Sequence, residues 1–140
     1  MTKVLRVNFE GIKNINTGGD AGNELEIYGT ILASIDDVKT IFWDTTDNNF
    51  VSIAQNNFYP INKSYDLIIN ENQSIRLGGH LIDCDDTTPD DDMGSNYIEI
   101  DYNSLPSINN CSVTELDEIQ FSEGDQIVSV KFSYQTIHEF

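Results

Sequence analysis

Positive charge is scarce in this sequence: seven Lys and Arg stand against 24 Asp and Glu, a formal net charge of −17. Such a surface repels phosphate backbones, which excludes nucleic acid as a partner. It also repels bare anionic membranes, so contact with a bilayer needs a cation to invert the local field. Cysteine is nearly absent. Cys84 and Cys111 are too few for a disulfide framework, and two inert thiols fit better than one bridge. Acidic neighbours raise a thiol's pKa and argue against a reactive nucleophile. Long apolar runs are missing too, since Leu67-Ile68-Ile69 is far too short to span a bilayer. The opening Met1-Thr2-Lys3-Val4-Leu5-Arg6 has no signal-peptide core. It suits either a cytoplasmic chain or a piece of something larger, secreted or peripheral on a membrane. There is no Gly-x-Ser-x-Gly elbow, phosphate-binding glycine loop or His-Glu-x-x-His. Carboxylates massed in a solvated loop lack the apolar pocket that raises a general acid's pKa, so the chain does not read as an enzyme.

What the sequence does have is period-two alternation. Leu5, Val7 and Phe9 face one way against Arg6, Asn8 and Glu10, which predicts a strand over about 3–12. The same rhythm predicts strands near 24–34, 38–43, 50–54, 65–69, 74–83, 97–102 and 126–137. Gly78 and Gly79, inside the sixth, suggest a bulge or a close backbone approach rather than a break. The stretch 103–125 is mixed, and 115–121 reads as a short extra strand or a helical turn. Phe42, Trp43 and Phe50 read as core, as do Tyr28 and Tyr65. His80 and His138 read as structural or exposed. No segment of twelve or more residues carries a helical stripe. A single domain of 140 residues follows, an all-β, antiparallel, eight-stranded β-sandwich.

Charge is concentrated at 83–92, where six Asp fall within ten residues with no Lys, Arg or His among them. Like charges so close repel unless a cation sits between them. A hard divalent ion with oxygen ligands, above all calcium, meets that need. Asp83 and Asp85 stand two apart at a strand end and point to the same side. Pro89 helps the loop turn back to bring in Asp91. A second loop, 18–23, carries Asp20, and Glu26 follows six residues later. If both loops lie at one end, Asp20, Glu26, Asp83, Asp85 and Asp91 supply much of the six to eight oxygens calcium takes. Asp44 and Asp47 sit in a neighbouring turn, where turn chemistry explains them equally well.

The spacing Asp83-Cys84-Asp85…Asp91-Asp92-Met93-Gly94 at the end of an apolar strand resembles the third calcium loop of C2 domains. Asp20…Glu26-Ile27-Tyr28 is similar to their first loop, an Asp, a second Asp six later, then Pro-Tyr. The resemblance covers both loops and the strand rhythm. It implies a sandwich that binds two or three calcium ions between its loops and docks to anionic phospholipid when calcium is present. The chain departs from the pattern at Glu26, one methylene longer, and at Ile27 in place of Pro. It lacks a lysine-rich strand for phosphoinositides. The loop tips, Gly18-Gly19 and Thr87-Thr88-Pro89, carry no Trp, Phe or Leu, and only Met93 lies near.

Three functions are compatible with these features. The first is a calcium-binding, C2-like module that docks to a membrane surface or anionic partner, a targeting domain of a larger or secreted protein such as a toxin. The second is a calcium-dependent carbohydrate- or protein-binding sandwich of lectin or adhesin type. The third is a domain in which calcium is purely structural. Oligomeric state is not legible.

Overall fold

The computed structural model describes residues 1–19, 22–110 and 112–140. Nine strands form among them: β1 (Thr2–Asn16), β2 (Glu24–Ile35), β3 (Val38–Thr45), β4 (Val51–Ala54), β5 (Phe58–Asn70), β6 (Ser74–Asp83), β7 (Asp91–Asp101), β8 (Thr114–Glu123) and β9 (Gln126–Glu139). They make two antiparallel sheets, β5-β1-β9-β8 and β3-β2-β6-β7, with β4 also on β2. Among the described residues no helix is long and apolar enough to cross a membrane.

The count of nine corrects the expected eight, and β8 supplies the difference. Its pairing with β9 slips between Leu116 and Ile119. Leu116 is half-buried while Ile119 and Phe121 reach the core, so the apolar residues fall at i, i+3 and i+5. That spacing imitates a helical turn, although the chain is extended with a bulge. The segments β3 and β4 lie end to end on one edge of β2, since Thr45 opposes Gly29 and Val51 opposes Ile27. Residues 46–50 interrupt an edge strand without reversing it. The sandwich therefore has four strand paths in each sheet.

The core lies between the sheets. The Phe9 and Phe132 rings sit 5.2 Å apart, and Phe42 from the opposite sheet meets Phe132 edge-on at 5.7 Å. Tyr65, expected in the core, touches Phe42 edge-on but stays exposed. Trp43 is half-buried against this core, but Phe50 is exposed, because it stands in the break between β3 and β4. Tyr28 points to the outer face of its sheet, where its hydroxyl finds a carboxylate. On the other side of the sandwich, Asn96 of β7 donates its side-chain amide to the Gln120 carbonyl of β8 at 2.8 Å. The two sheets are tied together along that seam.

Gly78 and Gly79 are the close approach that the sequence suggested. A Cβ on Gly79 would stand 1.9 Å from the Thr30 carbonyl oxygen, and one on Gly78 would stand 2.0 Å from that of Asn96. Both obstacles are backbone of the flanking strands, so nothing short of moving the ladder relieves them. Gly79→Ala is expected to cost about 3 kcal/mol or more, at the upper end of single-substitution effects. Urea denaturation measures it, and a loss under about 1 kcal/mol would contradict the close approach.

Candidate metal centre

Odd-numbered residues of β6 face the core, and Ile75, Leu77, Leu81 and Asp83 are all buried. Asp83 thus occupies the last core-facing position of an apolar stripe, at 1% exposure. A buried carboxylate is costly unless its oxygens are satisfied. The backbone N–H of Glu26 donates to Oδ1 at 2.8 Å, and Gln126 Nε2 donates to Oδ2 at 3.2 Å.

Directly across the ladder from Asp83 stands Asp91, the first residue of β7. The sequence pattern left Asp91 and Asp92 in the loop, but the register makes them strand. Asp91 and Met93 face inward from odd positions, whereas Ile98 and Ile100 face inward from even ones. The parity switches at a bulge, where Leu81 opposes both Met93 and Gly94. Gly94 has φ +85°, a left-handed conformation that glycine adopts at least cost. The Gly three residues after Asp91 therefore has a mechanical role. It lets one strand send a carboxylate to the site and apolar side chains to the core.

Asp85 follows Asp83 by two and joins the pair. Oxygen atoms of Asp83, Asp85 and Asp91 all lie within 4.8 Å of one another. Glu26 is not one of the three. Its neighbours on β2, Leu25 and Ile27, are fully buried, so alternation directs Glu26 to the opposite face of the sheet. Its link to the site is the N–H it gives to Asp83. Asp20 lies outside the described residues. The base of its loop is fixed by Asn14, fully buried, whose side-chain amide donates to Thr17 Oγ1 and to the Ile53 carbonyl.

Two of the other acids of the run, Asp90 and Asp92, have partners of their own. Asp90 accepts the Tyr28 hydroxyl at 2.6 Å and the Asp85 N–H at 3.0 Å. Both bonds hold its carboxyl below the usual range. Asp92 is held low in the same way, by His80 at 2.5 Å and the Gly94 N–H at 2.8 Å. These four bonds brace the acidic run around Asp83, Asp85 and Asp91, the three whose oxygens converge. Cys84, between two of them, is a free thiol. Burial raises its pKa first, with Asp90, Glu26, Asp47 and Asp86 adding to it, so it is a poor nucleophile. Sequence reading missed Gln126 and the Tyr28–Asp90 bond. Both contacts join residues far apart in the chain, and no local pattern announces them.

The three oxygens fit a calcium ion. Ca–O distances of about 2.3–2.6 Å put ligands on opposite sides of an ion roughly 4.6–5.2 Å apart. The donor set is all hard oxygen, the kind that hard divalent cations such as calcium and magnesium take.

No protein-family model and no curated protein sequence matches the chain. Solved structures do match in fold. A C2 domain of a plant extended synaptotagmin 1 aligns with 98% of this chain over 97% of its own, at TM-score 0.50 and 8% identity. Human GIVD cytosolic phospholipase A2 aligns with 96% of this chain at TM-score 0.51 and 14% identity, and that match takes in 16% of its length. A complex of the same enzyme with a fluorophosphonate inhibitor and terbium chloride aligns at TM-score 0.50 and 14% identity, over 18% of its length. The sandwich is C2-like.

The Tyr28 phenol is pushed up to about 12, chiefly by its bond to Asp90, then by burial and the Asp90 charge. The fold favours the neutral phenol. This contribution to stability is present below the ordinary phenol value near 10 and fades as pH rises through about 12. In an absorbance titration, Tyr28→Phe should remove one phenol ionising at about 12. An unchanged alkaline tail would place that phenol elsewhere.

Proposed function

We propose that this C2-like sandwich binds calcium at its carboxylate end and uses the ion to dock to an anionic phospholipid surface, as a targeting module within a larger protein. The observation that supports it is the convergence of Asp83, Asp85 and Asp91 within 4.8 Å, with Asp83 buried at the strand end. In this reading the three carboxylates are the first ligands. Asp20 is the fourth, from the loop between β1 and β2, and Glu26 adds charge from the neighbouring face. Bound calcium supplies positive charge where the chain has none of its own and takes an anionic headgroup oxygen as a further ligand. The protein holds the carboxylates in place through Gln126, the Glu26 N–H and the Gly94 bulge.

Docking of this kind rests on electrostatics, not insertion. Gly18, Gly19, Thr87, Thr88 and Pro89 offer nothing greasy, and Met93 is 3% exposed, a core residue and not a membrane probe. Binding to vesicles should therefore weaken steeply with salt. The same polar tips favour a second reading, in which calcium serves glycan or protein binding or only ties the loops down.

Calorimetry on metal-stripped protein tests the ion. Saturable calcium binding is expected, abolished by Asp83→Asn with Asp85→Asn, and no binding up to millimolar calcium would remove the reading. Calcium at 100 times its Kd should add about 2.7 kcal/mol to stability. Co-sedimentation with phosphatidylserine vesicles, with and without EDTA, tests the surface. A calcium-binding protein whose sedimentation ignores calcium would transfer the function to the second reading, which a glycan array then resolves.

A further inference from the structure

The outer face of the β5-β1-β9-β8 sheet holds a second, unrelated feature. A cleft of about 500 Å³ opens there, lined by Lys13, Asn56, Phe58, Asp117, Ser129 and Lys131 among others. Lys13 pairs across the ladder with Phe58 on one side and Ser129 on the other. Ser129 belongs to the outer face, since Val128 and Val130 point inward, yet it is only 7% exposed.

Three irregularities of the sheet surround it. The ladder slips at Phe9/Gly11 towards both neighbours, at Asn14/Asn16 towards β9, and at Leu116/Ile119 in β8. The extra residues include Ile15 and Asp117, and both line the cleft. Bulges of this sort re-aim side chains and concentrate at binding sites. Gly11 contributes by omission. A Cβ there would fall 2.7 Å from the tip of the Phe58 ring and 2.1 Å from the Tyr59 carbonyl, so glycine leaves the ring its seat. Phe58 remains 43% exposed.

The charges are mixed. Lys131 pairs with Glu115 at 2.5 Å, and Glu10 and Asp117 also act on it. Two ammonium groups among three carboxylates leave no positive excess to select an anion. What remains is an exposed aromatic ring beside alternating donors and acceptors: amide, hydroxyl, ammonium and carboxylate. A ligand that suits this has an apolar C–H face and a rim of hydroxyls.

We propose that this cleft is a calcium-independent subsite for a neutral oligosaccharide. One sugar ring packs its C–H face on Phe58, and its hydroxyls bond to Asn56, Asp117, Ser129 and the two lysines. The site shares no residue with Asp83, Asp85 and Asp91, and its occupancy does not depend on the metal.

Native electrophoresis through gels containing soluble neutral polysaccharides tests it, with glucans, mannans and xylans as probes and EDTA throughout. Retardation is expected in at least one gel, at least tenfold weaker for Phe58→Ala and reduced for Asp117→Ala. Asp83→Asn with Asp85→Asn should leave it unchanged. Both cleft positions are exposed, so these variants should keep the parent fold, and Asp117→Ala serves alone if Phe58→Ala does not. No retardation in any gel, or retardation indifferent to both cleft substitutions, overturns the proposal. Retardation that needs calcium and disappears with the Asp83 and Asp85 changes would place sugar binding at the loops and equally overturn it.

Discussion

The Asp83 carboxylate ties the two sheets to each other at the loop end, close to where Asn14 of β1 bonds to the Ile53 carbonyl of β4. Asp83 sits where the apolar stripe of β6 would otherwise continue, and it accepts one hydrogen bond from β2 in its own sheet and one from Gln126 of the other. Fixed donors from two directions leave the carboxylate little rotational freedom. Its strand neighbour Asp91 is held by the ladder, and Asp85 is held through the N–H that it gives to Asp90. The arrangement brings three like charges together on a protein whose formal charge is already −17. Without a counter-ion this repulsion is drawn from the stability of the core.

Alternation made most of the fold legible, and it failed where a strand carries an irregularity. In β1, β2, β6 and β9 the apolar residues recur on every second position long enough to be unmistakable. In β8 one extra residue shifts the parity after Leu116, and the reading wavered between strand and helical turn. The first half of β5 carries Pro60 and a left-handed Asn62, both turn signals, yet it pairs with β1 on both sides of a bulge at 61–62. The start of β7 was hidden inside the acidic run. A strand that opens Asp-Asp reads as loop until its partner is known.

The site divides along the same line. The convergence of Asp83, Asp85 and Asp91 was readable because two of them stand two apart at a strand end and the third returns across a short loop. Glu26 was chosen on its spacing from Asp20 and on the resemblance of that spacing to the first loop of C2 domains. Alternation along β2 sets it among Tyr28, Cys84 and Asp90 on the outer side of the sheet, where its charge is felt by the Cys84 thiol. The bracing bonds of Asp90 and Asp92 reach residues 62 and 12 positions away, beyond any local pattern. Local spacing named the ligand candidates, and only register could show what holds them.

The pairing of β1 with β9 has a mechanical consequence. Thr2 and Phe140 exchange both backbone hydrogen bonds, at 2.7 and 2.9 Å, at the end of the sandwich remote from the carboxylates. Because the two strands are antiparallel neighbours, a load applied through residues 2 and 140 falls on that rung alone. The next rung is loaded only after the first has opened. Tension through those ends therefore peels the strands apart like a zip, instead of shearing the whole ladder at once. The domain resists heat and denaturant with its full core, but resists a pull along this axis with one pair of hydrogen bonds at a time.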